Sequence, residues 1–143
     1  MFLLPAWFAP TAALRTAFHR ALGVRIGRNV EIGYFVILDN LYPEHVLIED
    51  DVTIAARSTI LAHDEARAYT DSGSERVAET RVERGAFVGV HCVVLPGVTI
   101  GQRAIVAAGS VVTQSVPGSA RVAGVPARIL EQPQGTSTTL EDD

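Results

Sequence analysis

Four histidines are the side chains of this 143-residue chain best suited to proton transfer near neutral pH. A neutral imidazole accepts a proton there because its unperturbed pKa lies close to that range. A histidine beside a hydroxyl can therefore turn a poor nucleophile into a good one. The single cysteine, Cys92, permits no disulfide within the chain and no cysteine-built zinc site. For a histidine to act in this way, the fold must place it beside other polar groups.

A repeat of six residues organises the part of the chain that must position these groups. From Val82 every sixth residue is aliphatic, and from Ala86 every sixth residue is small or medium-sized. Helices place apolar residues three and four apart and strands two apart, so neither explains this period. The aliphatic series comprises Val82, Val88, Val94, Ile100, Val106 and Val112; the second series comprises Ala86, Cys92, Val98, Ala104, Ser110 and Val116; the same unit recurs at Ile26, Ile32, Leu38, Ile48, Ile54 and Ile60.

This period predicts a triangular coil. Each unit supplies one short strand and one turn, and three units close a rung with the aliphatic residues pointing inward. The rungs are expected to begin at Ile26, Ile48, Val82 and Ile100. Glycines that follow the aliphatic positions are expected to serve the turning backbone. Cys92 falls at an inward small position, so we expect a packed core thiol.

The period is interrupted twice. A short insertion, residues 42–46, precedes the second rung, and the polar segment 62–81 separates the second rung from the third. The longer segment is predicted to be a loop ejected from the prism, without structure of its own. A long loop of that kind in a compact domain is usually functional or disordered.

The register of the rungs places polar residues beside one histidine. When the first two rungs are aligned, Leu38 lies under Ile60, and Asp39 and Asn40 lie at the same corner as His63. A carboxylate and an amide at that corner can orient the imidazole or bind a substrate hydroxyl. The alternative is an ordinary turn, where Asp and Asn are favoured in any case.

An amphipathic helix is predicted over residues 11–22, ended by Gly23. Its apolar stripe, which includes Leu14 and Phe18, is expected to cover the end of the coil, while Arg15 and His19 face outward. A surface that touches a membrane or a partner is the less favoured alternative.

Length and composition indicate one domain. The chain is 48% hydrophobic, enough to bury a core, and its net charge of -4 argues against a nucleic-acid or anionic-membrane surface. The apolar N-terminus lacks a basic segment and a convincing cleavage site, so no signal peptide is expected. The single cysteine fits a reducing cytoplasm, and a cytoplasmic location is expected. The coil is expected over residues 24–117, a closing segment over 118–131 and a disordered tail over 132–143.

Three segments resemble the hexapeptide-repeat acyltransferases, such as the galactoside, maltose and nodulation-factor O-acetyltransferases. They are VGVHCVVLPGVTIG at 88–101, AGSVVT at 108–113 and AGVPAR at 123–128, and the likeness extends over about residues 24–130. The resemblance implies an all-β fold, namely a left-handed parallel β-helix of hexapeptide repeats with a short N-terminal helix and one ejected loop. It also implies acetyl transfer from acetyl-CoA to a hydroxyl of a sugar or small molecule, without a metal.

The same resemblance assigns roles at the acceptor side of the site. His63 matches the general base of the family, and Asp39 and Asn40 are similar to the polar residues that accompany it. Tyr69, in the ejected loop, is expected to contact the acceptor. A homotrimer is implied, with active sites between neighbouring chains, and His91 is expected to line the groove between subunits.

For coenzyme A, the resemblance points to the last rungs. The matching positions are Ala108, Thr113 and Arg128, and the guanidinium of Arg128 is suited to a phosphate. Two positions that are often basic in the family are Gln114 and Glu131 here, which puts the affinity for CoA in question. Phe87 stands where many members have Trp.

Three other functions remain to be compared with O-acetylation. N-acetylation of an amino sugar or another amine is not separated from it by the sequence. A zinc carbonic anhydrase of this fold needs three converging histidines. Only His63 and His91 lie in the repeats, so this function is rejected. A trimeric assembly module without catalysis is disfavoured by His63, Arg128 and the closing motif.

Overall fold

The computed structural model describes residues 3–70 and 74–131, so the predicted disordered tail, 132–143, lies outside the described residues. Two helices open the described chain, α1 (Leu3–Phe8) and α2 (Ala12–Ala21), and α3 (Ala66–Thr70) follows in the ejected segment. A 3-10 turn, Pro43–His45, occupies the short insertion. The hexapeptide period does not predict α1.

Short strands form three sheets, which we call faces A, B and C, and each rung visits them in that order. Face A contains β1 (Arg25–Ile26), β4 (Val46–Ile48), β9 (Thr80–Val82) and β12 (Thr99–Ile100). Face B contains β2 (Glu31–Ile32), β5 (Thr53–Ile54), β10 (Phe87–Val88) and β13 (Ile105–Val106), and it ends with β15 (Arg121–Gly124) and β16 (Ala127–Glu131). Face C contains β3 (Ile37–Leu38), β6 (Thr59–Ile60), β11 (Val93–Val94) and β14 (Val111–Val112).

Strand pairing confirms the predicted period. Neighbouring strands are parallel on every face, apart from the antiparallel pair β15 and β16 that closes face B. On face A the aligned residues are Ile26, Ile48, Val82 and Ile100. These are the four predicted rung starts.

The aliphatic series fills the inside of the three-sided coil. Ile32, Ile54 and Val88 are completely buried, and the other inward positions are nearly so, apart from the partly buried Ile26 of the first rung. Burying a side chain of this size contributes roughly 1.5–3 kcal/mol. Cys92 is buried as expected, and burial raises the pKa of its thiol.

Glycines after the aliphatic positions have a different role from the expected one. Gly33 and Gly101 lie outside the left-handed region that would require glycine for a turn. A Cβ at Gly33 would instead stand 2.5 Å from the backbone nitrogen of Ala56, and one at Gly101 would stand 2.5 Å from that of Gly118. Stacked turns approach so closely that only a residue without a side chain fits between them.

Helix α2 covers the end of the coil with its polar side, so the predicted orientation of its two faces is wrong. Arg15, Thr16 and His19 are buried, whereas Leu14 is 46% exposed. The reason lies in hydrogen bonding, because the first rung presents backbone carbonyls that no further rung can satisfy. Arg15 donates to the carbonyl of Ile32 at 2.7 Å, and Thr16 donates to another carbonyl of the first rung.

The ejected segment has secondary structure, so the prediction of an unstructured loop is wrong. Strands β7 (His63–Asp64) and β8 (Arg76–Val77) pair antiparallel on either side of α3. The segment also ends earlier than predicted, because Thr80 and Arg81 belong to β9. The buried hydroxyl of Thr80 donates to the carbonyl of Leu61 at 2.6 Å and ties the two ends of the excursion together.

Candidate active site at one edge of the coil

The turns that lead from face C to face A form one edge of the prism, which we call the C–A edge. It consists of residues 39–45 in the first rung, 61–79 in the second, 95–98 in the third and 113–115 in the fourth. His63 and Asp39 both lie on this edge, each just after a strand of face C. The predicted juxtaposition of these two residues is therefore present in the fold.

His63 and Asp39 form a close side-chain pair. The Nδ1 atom of His63 lies 2.5 Å from Oδ2 of Asp39. The side chain of Asp39 is fully buried, and that of His63 is 14% exposed. The arrangement holds the imidazole in one orientation while part of the ring still reaches solvent.

Asp39 is held as a carboxylate by the turn around it. Burial alone would raise its pKa, but hydrogen bonds from the backbone of Tyr42 and Ala62 and from the His63 side chain act in the opposite direction, and the net pKa lies below the ordinary value. Its two oxygens accept backbone N–H groups from Leu41, Tyr42, Ala62 and His63. An ionised Oδ2 accepts the proton on Nδ1, so Nε2 of His63 carries the free lone pair.

Two further side chains surround the ring of His63. The ring of Tyr42 lies at 5.6 Å from it, and the Tyr42 hydroxyl donates to Glu75 at 2.9 Å. That hydrogen bond raises the pKa of Tyr42. Glu65 lies 3.8 Å from Nε2 of His63, on the side that faces away from Asp39.

His63, Glu65 and Glu75 are also the group of described residues best placed to hold a metal ion, since one ligand atom from each lies within 4.8 Å of the others. Both glutamates are exposed. Glu75 already accepts the hydrogen bond from Tyr42, and Nδ1 of His63 is engaged by Asp39. Exposed carboxylates often come together without an ion, so we assign no metal to this cluster.

A groove of about 270 Å³ runs along the C–A edge beside His63. Its lining comes from three successive rungs and from the hairpin, and it includes His63, Arg76, Leu95, Pro96 and Thr113. The fold thus brings Thr113, a residue predicted to contact CoA, to the same groove as the predicted base. Arg76 was not predicted, because the hexapeptide period ends before the hairpin that carries it.

The remaining predicted residues lie elsewhere. Gln114 and Arg128 line a second groove, of about 300 Å³, at the last rung. His91 and Ala108 are exposed at the opposite edge of face C, in the turns that lead from face B. Within one chain they are not brought to His63.

Three other predicted residues are placed as follows. Phe87 is 44% exposed on the outer side of face B. Asn40 is exposed next to Asp39 on the C–A edge. Tyr69 is 86% exposed on α3 and does not line the groove beside His63. Their predicted contacts with ligands stay predictions.

Comparison with known proteins agrees with the geometry. Residues 79–114 match the family described as bacterial transferase hexapeptide (six repeats). The chain thus carries the hexapeptide repeats that this family model describes. The hexapeptide-repeat-containing acetyltransferase VCA0836 of Vibrio cholerae O1 biovar eltor, solved with acetyl coenzyme A, has a TM-score of 0.68 and 27% identity, over 91% of this chain and 82% of that one.

Two sequence relatives of this hexapeptide-repeat protein carry out different acetylations. The galactoside O-acetyltransferase of Escherichia coli (strain K12) is 30% identical over 129 residues, which are 89% of this chain and 61% of that enzyme. A 2,3,4,5-tetrahydropyridine-2,6-dicarboxylate N-acetyltransferase of Staphylococcus aureus (strain JH9) is 43% identical over 61 residues, which are 43% of this chain and 26% of that enzyme. The chain spans less than two thirds of either relative. The resemblance to hexapeptide-repeat acetyltransferases is confirmed.

In residues 3–70 and 74–131, no helix is both long enough and apolar enough to cross a bilayer.

Proposed function

We propose that this hexapeptide-repeat protein transfers an acetyl group from acetyl-CoA to a hydroxyl of a sugar or another small molecule, with His63 as the general base. The observation that carries the proposal is the His63–Asp39 pair, which leaves Nε2 of His63 available beside a groove. The acetyltransferases among its relatives supply the reaction class.

The reaction follows from this arrangement. Nε2 of His63 takes the proton of the acceptor hydroxyl, and the oxygen attacks the thioester carbonyl of acetyl-CoA. Asp39 stabilises the imidazolium that forms, since the carboxylate remains ionised. The C–S bond then breaks, the acetyl ester leaves, and the imidazolium returns its proton to the CoA thiolate. No metal ion is needed in this scheme.

We propose that the active unit is a homotrimer with the left-handed coil of the acyltransferase family, located in the cytoplasm. His91 and Ala108 lie at one edge of face C and His63 at the other. One chain cannot bring them together, whereas two chains in contact along these edges can. The pantetheine arm of CoA would then run between neighbours, with Phe87, Thr113 and Gln114 along its path and Arg128 at a phosphate. Light scattering that finds a stable and active monomer would contradict this assembly.

N-acetylation is the second candidate. It is favoured by the Staphylococcus aureus relative, which has the higher identity, 43%, although over only 61 residues. The same base can serve, because an amine also needs to lose a proton after attack on the thioester. Asn40, and Tyr69 if it moves, would contact the acceptor in either case. The predicted acceptor contact of Asp39 is wrong, because its side chain is fully buried and acts through His63 instead.

Thiol release from acetyl-CoA in the presence of matched hydroxyl and amine acceptors tests the proposal. We expect release with a hydroxyl acceptor in the wild type and its loss in His63→Ala. Release with amines alone would favour N-acetylation. A folded trimer that binds acetyl-CoA but acetylates neither class would favour the assembly module.

A further inference from the structure

Arg76 stands out among the residues of the groove because no step of the proposed reaction uses it. It lies on β8, opposite Asp64 of β7, and β7 begins with His63. The hairpin therefore returns the chain to the groove that it left at His63. Arg76 and His63 both line this groove, together with Thr113 of the fourth rung.

The third rung leaves room for the guanidinium of Arg76. A Cβ added at Gly97 would lie 3.1 Å from Nη2 of Arg76, which is tighter than an ordinary contact. Gly97 also has a φ of +82°, a conformation that side chains rarely adopt. Its backbone N–H donates to the Thr80 hydroxyl at 3.0 Å, which fixes the turn in this position. The guanidinium of Arg76 thus lies against Gly97 at the groove, on the exposed side of the edge.

The charge of Arg76 has no partner in residues 3–70 and 74–131. Several other arginines of the coil are paired: Arg25 and Arg81 both contact Glu79, and Arg84 contacts Asp50. Arg76 forms no ion pair with a described residue, although its hairpin is rich in carboxylates. A cation directed into a groove beside a nucleophile-activating base is well placed to meet a negative charge on a ligand.

We propose that Arg76 forms a subsite for an anionic group of the acceptor, so that the substrate class is a hydroxyl-bearing organic anion such as a uronate or a sugar phosphate. The guanidinium would bind the carboxylate or phosphate through paired N–H donors while the hydroxyl lies at Nε2 of His63. The inference rests on the proposed function and adds the charge of the acceptor to it. The phosphates of CoA are the other source of negative charge, and the experiments separate the two.

The first experiment detects the subsite without catalysis. Inorganic phosphate is titrated into the acetyl-CoA-free protein, and the imidazole resonances of His63, assigned with His63→Gln, are followed by NMR. We expect a saturable shift in the wild type that is absent in Arg76→Gln. The matched control is Arg84→Gln, which removes an exposed arginine from another edge and should leave the shift unchanged. An equal shift in wild type and Arg76→Gln would overturn the proposal.

The second experiment identifies the source of the anion. Steady-state rates are measured with a neutral sugar and with the corresponding sugar phosphate and uronate. We expect Arg76→Gln to raise the KM for the anionic acceptors by roughly 10–100-fold, as for loss of a charge-assisted hydrogen bond. The KM for acetyl-CoA and the rate with the neutral sugar should change little.

The outcomes distinguish the two levels of the proposal. Suppose that Arg76→Gln raises the KM for acetyl-CoA and changes the KM for neutral and anionic acceptors by the same factor. The anion bound by Arg76 then belongs to CoA, and the proposed acceptor subsite is wrong. If phosphate binds through Arg76 but no acceptor of any charge is acetylated, the proposed function fails and the anion subsite stands. Equal specificity of the wild type for neutral and anionic acceptors would also contradict the subsite.

Discussion

His63 and Asp39 are 24 residues apart in the chain and meet because one rung of the coil lies directly above the other. The carboxylate fixes the ring and the turn together, since it accepts both the side chain and the backbone N–H of His63. A base held in this way should act through its protonation state and contribute little to the hydrophobic core.

His63→Ala should therefore abolish most of the activity while the protein stays folded. General-base catalysis typically contributes roughly 10²–10⁴-fold, so kcat should fall by about that factor with the affinity for CoA nearly unchanged. Thiol release and a thermal melt measure the two effects. His91→Ala, which removes an exposed histidine from the other edge of face C, is the control for the thermal melt alone, because His91 is proposed to lie at the groove between subunits. An active His63→Ala would remove the basis of the catalytic assignment.

Asp39→Asn should slow the reaction and also destabilise the fold. The amide carries no charge to stabilise the imidazolium that forms when His63 takes the acceptor proton, so kcat should fall. An amide cannot accept all the N–H groups that the carboxylate accepts, and an unsatisfied buried donor costs about 1–3 kcal/mol. Rates are recorded well below the melting temperature of the variant. An unchanged kcat would show that Asp39 is structural alone.

Arg128→Glu should weaken the binding of acetyl-CoA without affecting the coil. The side chain is exposed, and among the described residues it hydrogen-bonds only to the adjacent carbonyl of Ala127. Loss of a charge-assisted contact with a phosphate should raise Kd by roughly 10–100-fold in titration calorimetry. Wild-type protein with 3′-dephospho-CoA is the matched comparison. If Arg128 contacts the 3′-phosphate, Arg128→Glu should raise the Kd for acetyl-CoA but should not raise the Kd for 3′-dephospho-CoA. An unchanged Kd for acetyl-CoA in Arg128→Glu would refute the contact.

The repeats predicted the coil and the His63–Asp39 pair because both depend on register, and register follows from a fixed period. Where the period stops, the prediction stops. The hairpin that carries Arg76 is held by local pairing and by Thr80, neither of which leaves a six-residue signal. The sequence therefore located His63 but missed Arg76 beside it.

The predicted orientation of helix α2 is wrong for another reason. Amphipathic patterns predict which side of a helix meets an apolar surface, but the end of the coil exposes backbone carbonyls. Arg15 and Thr16 satisfy those carbonyls, and the hydrogen-bonding requirement outweighs the apolar pattern of α2. Only knowledge of the surface beneath the helix could have predicted this orientation.

Gly33→Ala should destabilise the coil far more than Gly118→Ala. A methyl group at residue 33 would meet the backbone of Ala56 at 2.5 Å, whereas one at residue 118 would meet the carbonyl of Gln102 at 3.4 Å. Overpacking of this kind costs typically 1–3 kcal/mol and sometimes more. Urea unfolding of both variants gives the comparison. Equal free energies of unfolding would show that the stacked turns can separate without cost.

His19 should make the stability of the protein depend on pH between about 4 and 6.5. Burial lowers its pKa from 6.5 to about 4, and neither ring nitrogen has a hydrogen-bond partner in the described part of the chain. Between these values the unfolded chain binds a proton that the folded protein does not. Stability is therefore complete above pH 6.5 and falls as the pH is lowered toward 4, by about 3 kcal/mol in all.

A matched pair of variants isolates this effect from the carboxylates that titrate nearby. The free energy of unfolding is measured against pH for the wild type, His19→Phe and His91→Phe. His19→Phe should lose the part of the slope that lies between pH 4 and 6.5, because an apolar ring at this site cannot bind a proton. His91→Phe, which changes an exposed histidine, should keep that slope. If His19→Phe retains the wild-type slope, other groups cause the slope, and the lowered pKa of His19 is wrong.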